Sequence, residues 1–391
     1  MAIVMVNIKT SQKKLSNPVL LTKDLIRCPS VTPTDAGAIG VLIEALEQLG
    51  FTCHKLDFTE PNTEPVTNLY ARLGTASPNF CFAGHTDVVP TGSGWNTDPF
   101  SAKEVGGFIT GRGAVDMKGA IASFVAATAQ YLEENRNMQG SISLLITGDE
   151  EGLAINGTKK MLTCRRKSEE ISACLVGEPT NPLKLGDMIK IGRRGSLNAI
   201  LTVKGTQGHA AYPHLANNPV LGITQLLSAL TSVTLDTGNV NFQPSTLTLT
   251  SIDVANPTTN LIPPEAKARF NIRFNDEHTG ESLTTLLHQI LEEVNVEGSY
   301  SLNITISGES FISSEGPITK IMSQAIKEVT GKTPELSTSG GTSDARFIKS
   351  YCPVYEFGLT SETMHKVNEK VSVNDLNDLT KIYKKILTKY L

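Results

Sequence analysis

Cys81-Phe82-Ala83-Gly84-His85-Thr86-Asp87-Val88-Val89-Pro90 is an apolar run that stops in an imidazole and a carboxylate separated by one residue. It reads as a strand, and the end of a strand is where an α/β sheet presents polar side chains to a crevice. His85 is there a candidate metal ligand. Residues two apart on a strand share a face, so Asp87 is placed to accept the other ring N–H of His85 and fix its tautomer. The pattern recurs downstream. Ser141–Thr147 is apolar and runs into Gly148-Asp149-Glu150-Glu151-Gly152, and Ala173–Val176 runs into Gly177-Glu178-Pro179-Thr180. Three strands ending in acidic or imidazole groups predict one edge of a mostly parallel sheet flanked by helices, an α/β domain.

Composition bounds what such a domain can serve. The 391 residues carry 35 basic and 39 acidic side chains, a formal net charge of −4, so no basic excess points to nucleic acid or to an anionic membrane. At a prior of ~150 residues per domain, two compact units are expected. Cys28, Cys53, Cys81, Cys164, Cys174 and Cys352 lie far apart with no Cys-x-x-Cys pair, which argues for reduced thiols in the cytoplasm and against a cysteine-held zinc. The apolar run at residues 3–8 is too short for a signal peptide, and nothing approaches the ~20 apolar residues of a membrane span. The first dozen or so residues read as a leader of no assigned role. Arg165-Arg166-Lys167, followed by Ser168-Glu169-Glu170, reads as a solvated loop.

Working outward from the strands, Asn17-Pro18 is a capped helix start, and residues 35–50 place Ile39, Leu42, Ile43, Leu46 and Leu49 at helical spacing before Gly50. Strands are predicted near 52–57, 68–73 and 79–84, and the loop holding Pro90, Gly92, Gly94 and Pro99 makes a rim. Gly111-Arg112-Gly113-Ala114-Val115-Asp116-Met117-Lys118-Gly119 predicts the opening of a long helix. It begins like a dinucleotide fingerprint, but Asp116 stands where the third glycine belongs and would repel a pyrophosphate; a metal ligand at the head of a helix is the better reading. Gly331-Lys332-Thr333 mimics the end of a phosphate loop, yet Ile326 occupies the place of its first glycine.

From about Gly195 the texture changes. Residues 196–205 alternate, a helix starts at Pro219, residues 245–254 and 266–274 alternate again, then a helix with Leu283, Leu286, Leu287 and Ile290 precedes a strand with Tyr300, Leu302 and Ile304. The order β-α-β-β-α-β predicts a ferredoxin-like α+β domain at 195–308, inserted into a catalytic domain made of 1–194 and 309–391. One-sided antiparallel sheets leave a face or edge free, so this insert is expected to dimerise the chain. Beyond it, a helix at 318–329 leads to Ser339-Gly340-Gly341-Thr342-Ser343-Asp344-Ala345-Arg346, a glycine-rich loop into a helix that suits anion binding. A strand at 354–358 and Met364-His365-Lys366-Val367-Asn368-Glu369 precede the last helix.

His85, Asp116, Glu150, Glu151, Glu178 and His365 thus form a set of two imidazoles and four carboxylates at loop positions. Packing so many anions together calls for divalent cations, and nitrogen with oxygen ligands suits Zn(II), with Co(II) or Mn(II) able to substitute. His54, His278 and His288 match no motif and read as surface histidines, while His214 stands between a supporting role and a turn.

The five motifs around these ligands, in this order and over nearly the whole chain, resemble the metal-site motifs of the M20 co-catalytic zinc hydrolases. The resemblance implies that His85 and Glu178 hold one zinc, that Glu151 and His365 hold the other, and that Asp116 bridges both. It implies that Glu150 is the general base and that Asp87 supports His85. It implies that His209 is supplied by the partner subunit of a homodimer to polarise the scissile carbonyl. Carboxylate recognition falls in the same way to Arg193, Ser196, Tyr212, Asn260, Arg273, Gly341, Thr342 and Arg346. The implied activity is hydrolysis of a small N-succinylated amino acid, N-succinyl-LL-2,6-diaminopimelate, to the free diamino acid and succinate. N-acetylornithine deacylation or dipeptide hydrolysis is the alternative within the family, and a non-catalytic ligand-binding relative the alternative outside it. One position departs from the family pattern: Ser361 stands where an asparagine is expected four residues before His365.

Overall fold

In the computed structural model, which describes residues 15–135, 137–165 and 170–391, the expected apolar runs become strands whose ends converge. The N-terminal leader and most of the Arg165-Arg166-Lys167 cluster lie outside the described residues. Helix α1 (Pro18–Ile26) is capped by the Asn17 side chain, which accepts the Val19 N–H. Helix α2 (Ala38–Gln48) starts three residues later than the apolar spacing predicts, because the Asp35 carboxylate takes the N–H groups of Gly37 and Ile39 and holds the chain in a turn. Strands β1 (Thr52–Phe58), β2 (Val66–Leu73) and β3 (Asn79–His85) follow, then α3 (Gly119–Glu134), β4 (Ser141–Thr147), α4 (Thr158–Arg165), β5 (Ala173–Val176) and β6 (Met188–Lys190).

The next elements are β7 (Gly195–Lys204), α5 (Pro219–Ser232), β8 (Thr246–Asp253), β9 (Glu265–Phe274), α6 (Gly280–Glu292) and β10 (Ser299–Gly308). The chain then forms α7 (Pro317–Thr330), β11 (Glu335–Ser337), β12 (Val354–Glu356) and α8 (Val373–Tyr390). It divides into two units. The first comprises 1–191, 313–337 and 343–391, the second 192–312 and 338–342. The short return 338–342 belongs to the second unit, where Thr338 Oγ1 donates to the Asn241 carbonyl at 2.6 Å and Arg193 Nη1 to the Gly341 carbonyl at 3.0 Å.

The first unit holds an eight-stranded sheet in the order β1-β2-β4-β3-β5-β12-β6-β11. Its centre, β4-β3-β5-β12, is parallel, with β2 added antiparallel on one side and β6 on the other. Every residue of β3, β4, β5 and β12 is buried, as in sheets covered on both faces. Phe82 of β3 stacks on Phe124 of α3 at 4.3 Å, and Tyr383 of α8 lies edge-on to both at 5.8 Å while its hydroxyl donates to the Phe357 carbonyl. Full burial of such a side chain contributes about 1.5–3 kcal/mol. Because β3, β4 and β5 are neighbours running the same way, His85, the Glu150-Glu151 turn and Glu178 all leave the same edge of the sheet.

The long helix does not open where the sequence reading puts it. Residues 114–118 form an irregular turn, with Asp116 (φ −124°, ψ 92°) and Met117 (φ −131°, ψ 27°) out of the helical region, and α3 begins at Gly119. The Glu369 carboxylate accepts the N–H groups of Gly113, Val115 and Asp116, so these amides bond a side chain instead of helix carbonyls. Glycine is required at 119, since a Cβ there would lie 2.5 Å from the Ala114 carbonyl oxygen. The second anticipated helix also shrinks. The 339–346 loop leads only into one turn, Ala345–Ile348, headed by Asp344, whose side chain makes no capping bond. The Asp344 carboxylate accepts the Thr158 hydroxyl at 2.6 Å instead.

The second unit carries a four-stranded antiparallel sheet in the order β8-β9-β7-β10 with two helices, the ferredoxin-like arrangement. Leu197, Leu201, Phe270, Ile272 and Phe274 point inward with Ile223, Leu226, Leu283 and Leu287 of α5 and α6. Helix α6 starts in a capping box, Thr279 and Ser282 each taking the other's N–H. Among the described residues no helix is long and apolar enough to cross a membrane, and all six cysteines are free thiols.

Candidate metal centre

His85 ends β3 fully buried, and its Nδ1 lies 2.9 Å from the main-chain carbonyl of Asp87. A carbonyl oxygen can only accept, so Nδ1 carries a hydrogen, and once the ring is neutral its lone pair lies on Nε2. Nε2 faces Asp116 Oδ1 at 3.2 Å and Glu178 Oε1 at 3.6 Å. The other oxygen of Asp116, Oδ2, is 3.0 Å from His365 Nε2, which also meets Glu151 Oε1 at 2.9 Å. One carboxylate therefore stands between two imidazoles with an oxygen toward each. The donor atoms fall into the sets His85, Asp116, Glu178 and Asp116, Glu151, His365, with His85, Glu150 and Glu151 forming a third; in each set they lie within 4.8 Å of one another.

The part of Asp87 differs from the expectation. Its side chain is not the principal acceptor for His85, Oδ1 being 3.6 Å from Nδ1. Instead Oδ1 accepts the Glu150 N–H at 3.2 Å and Oδ2 the Glu151 N–H at 3.0 Å. The strand end bends after His85, so the main chain reaches the ring and the carboxylate is left for the neighbouring turn. Asp149 holds that turn from its far side by accepting the N–H groups of Ala154, Ile155 and Asn156. Asp87→Ala leaves both glutamate amides without their acceptor, and metal affinity is expected to fall about 10- to 100-fold. Competition titration against a chromophoric chelator measures this, and an unchanged affinity would show that the turn stands without Asp87.

Electrostatics match a cation-binding cluster. Burial opposes the charged form of His85, but the hydrogen bond to Asp116 and the fields of Glu178, Asp116 and Asp87 outweigh it and push the imidazole well above its ordinary value. Hydrogen bonds to Asp116 and Glu151 push His365 up to about 10. Burial would raise Asp116, yet its bonds to His365 and His85 hold it below the usual carboxylate range. Protons are thus held on both rings where cations would sit. Desolvation, reinforced by the charge of Glu178, pushes Glu150 well above the usual range, and desolvation lifts Asp87 to about 6 against the pull of His85 and the two amide bonds.

The remaining expected residues fall into separate groups. In the second unit, exposed His209 and Tyr212 have ring centroids 5.7 Å apart, and the Asn260 carbonyl accepts the Ala210 N–H. Ser196 is buried opposite Arg273 in the β7–β9 register, and Arg193 binds the Gly341 carbonyl beside Thr342. Arg346 belongs to the first unit, with its guanidinium 4.6 Å from the Phe347 ring. Ser361 donates its N–H to the Asn181 carbonyl at 2.8 Å. His54 and His288 are exposed, whereas His278 is half-buried against the Leu235 carbonyl and Asp236; His214 is exposed beside Tyr212. Asp149, Arg112 and Glu369 were given no role from sequence, because carboxylates and guanidinium groups that bind backbone look the same on paper as solvated ones.

Comparison with known proteins bears on this geometry. Residues 81–389 match the model of peptidase family M20/M25/M40. A protein of Rhodospirillum centenum named succinyl-diaminopimelate desuccinylase is 58% identical over 377 residues, covering 96% of this chain and 97% of its own length. A protein of the same name from Pelagibacter ubique is 51% identical, covering 96% and 99%. Among solved structures, an M20 family metallo-carboxypeptidase of Sulfolobus solfataricus shares the fold with a TM-score of 0.78 at 18% identity, over 95% of this chain and 99% of that one. A dinuclear metal-binding M20 peptidase of Bacillus subtilis does so at 0.69 and 15%, over 97% and 98%.

Proposed function

This chain belongs to peptidase family M20/M25/M40, and from that premise we propose that it hydrolyses N-succinyl-LL-2,6-diaminopimelate to LL-2,6-diaminopimelate and succinate. The relatives of that name, more than half identical over nearly the full length, support the substrate. The observation that carries the chemistry is Asp116, whose two oxygens each face a different imidazole. His85 and Glu178 would hold one divalent ion, Glu151 and His365 a second, and Asp116 both; two imidazoles with carboxylates suit Zn(II), and also Co(II) or Mn(II). When bound, such ions polarise the scissile carbonyl and acidify the attacking water.

The chain's own groups supply the rest. Glu150, its basicity raised by burial, takes a proton from water as the water oxygen bonds to the succinyl carbonyl carbon; the same proton goes to the amide nitrogen as the C–N bond breaks. Arg193, Ser196, Tyr212, Asn260, Arg273, Gly341, Thr342 and Arg346 are assigned to the substrate's carboxylates, for which guanidinium and hydroxyl donors are suited. His209 is assigned to the carbonyl in the site of a second copy, within a homodimer formed through residues 195–308. The sheet of that insert is open, with β8 and β10 as its edges, which supports such an interface. The free thiols fit a cytoplasmic setting.

The test is hydrolysis by chelator-stripped protein with and without added Zn(II). Succinate release from the succinyl substrate only when zinc is added, with N-acetylornithine left intact, is the expected result. Cleavage of the acetyl compound alone would overturn the substrate.

A further inference from the structure

Behind the ligands lies a buried ion pair that the proposed chemistry does not use. Glu369 is fully buried and Arg112 is 2% exposed, with Arg112 Nη1 at 2.9 Å from Glu369 Oε2. Removing two charges from water costs several kcal/mol per ion, and the attraction offsets this only when the remaining lone pairs and protons are also satisfied. Here all of them but the Arg112 Nε hydrogen, which is buried without a partner among the described residues, bind backbone from three different loops. The Glu369 carboxylate accepts the N–H groups of Gly113 (3.1 Å), Val115 (2.9 Å) and Asp116 itself (3.3 Å). Arg112 donates to the carbonyls of Lys366, next to His365, and of Pro90 and Thr91, on the chain leaving Asp87. The Gly111 N–H closes the arrangement on the Glu369 carbonyl.

The loop so tied is not relaxed on its own account. His365 and Asn368 both have φ of 58°, in the left-handed region; asparagine tolerates it, whereas for His365 it costs about 1–2 kcal/mol and persists only where neighbours enforce it. Asn368 is held by the Asn96 N–H on its side chain. Asp116 likewise sits outside helical geometry because Glu369 takes its amide.

We infer that the Arg112–Glu369 pair is a positioning device, which sets Asp116 and His365 relative to each other and so governs metal affinity. The inference rests on the reading of those two residues as metal ligands. A pair that served only the fold would be replaceable at no cost to the site, since well-packed apolar groups stabilise as well or better.

The experiment is titration of Glu369→Gln with Co(II), followed by the visible absorption of the bound ion. Glutamine keeps the volume but turns an NH2 group toward donors. Expected is a folded protein by circular dichroism that binds Co(II) about 10- to 100-fold more weakly than the unchanged chain, with an altered absorption band. Arg112→Lys, which keeps the charge and loses the fork, is the second variant should glutamine impair folding. It is expected to show the same weakening together with a change in the emission of Trp95, the single tryptophan, whose ring lies 5.2 Å from the guanidinium. A lowered melting temperature with unchanged Co(II) affinity and spectrum in a folded variant would overturn the inference and leave the metal reading intact. An unchanged chain that takes up no Co(II) overturns both.

Discussion

Glu150→Gln is expected to lower turnover by about 10²- to 10⁴-fold, the range that a positioned proton carrier contributes, while both metal ions remain bound. Glutamine is nearly isosteric and cannot take a proton. The main chain at 150 and 151 stays on Asp87, so the turn and the Glu151 side chain keep their places. Charge also matters. Glu150 is raised by desolvation and by Glu178, and bound cations would draw it back down. The rate of the unchanged protein should therefore fall as pH drops through the Glu150 value, since the proton-accepting form is lost. Succinate release and a Co(II) titration on the same preparation decide the matter. Because Glu150 also lies within reach of His85 and Glu151, loss of an ion from Glu150→Gln would make it a ligand instead of the base.

Asp116→Asn is expected to weaken uptake of both ions together, where substitution of any other assigned ligand weakens chiefly one. Loss of a carboxylate that faces both imidazoles is expected to weaken uptake by more than the roughly 10- to 100-fold that follows loss of a supporting residue. A proton-coupled signature accompanies this loss. In the cation-free chain His365 keeps its proton up to about 10, owing to Asp116 and Glu151. An ion placed on that ring must displace the proton below that pH, so affinity rises with pH by up to tenfold per unit for each proton released. Asparagine withdraws the larger cause of the raised value, and the imidazole moves back toward its ordinary 6.5. Calorimetry in buffers of different ionisation enthalpy should then find fewer protons released at neutral pH in Asp116→Asn than in the unchanged chain. An equal count in both, or loss of a single ion, would argue against Asp116 as the shared residue.

How far the site was legible depended on which interactions leave a mark in sequence. Strand ends are marked, because an apolar run must stop where polar side chains begin; β3, β4 and β5 and the acids after them were found for that reason. The insert was found because its alternation reflects one buried face, with Ala266, Ala268, Phe270, Ile272 and Phe274 inward. What escaped were side chains that bind main chain. Asp35 shortened a helix from its start, Glu369 dissolved the first turn of another, and Asp87 gave its carboxylate to amides sixty residues away in place of its neighbour's ring. None alters the hydrophobic period from which helices and strands are read.

Most of the elements, the parallel edge from which the acids emerge, the inserted α+β unit and the candidate groups for cations can be read from the chain alone, because burial and spacing are local properties written into the order of residues. Folding in three dimensions alone turns one oxygen of Asp116 to His85 and the other to His365, and sets a main-chain carbonyl against the His85 ring. It also placed the buried Arg112–Glu369 pair beneath these loops. Apart from the His85–Asp87 contact, two residues apart, those are relations between segments 31 to 257 residues apart, and hydrogen bonds at 3 Å depend on where folding brings the backbone, which no periodicity along the chain encodes.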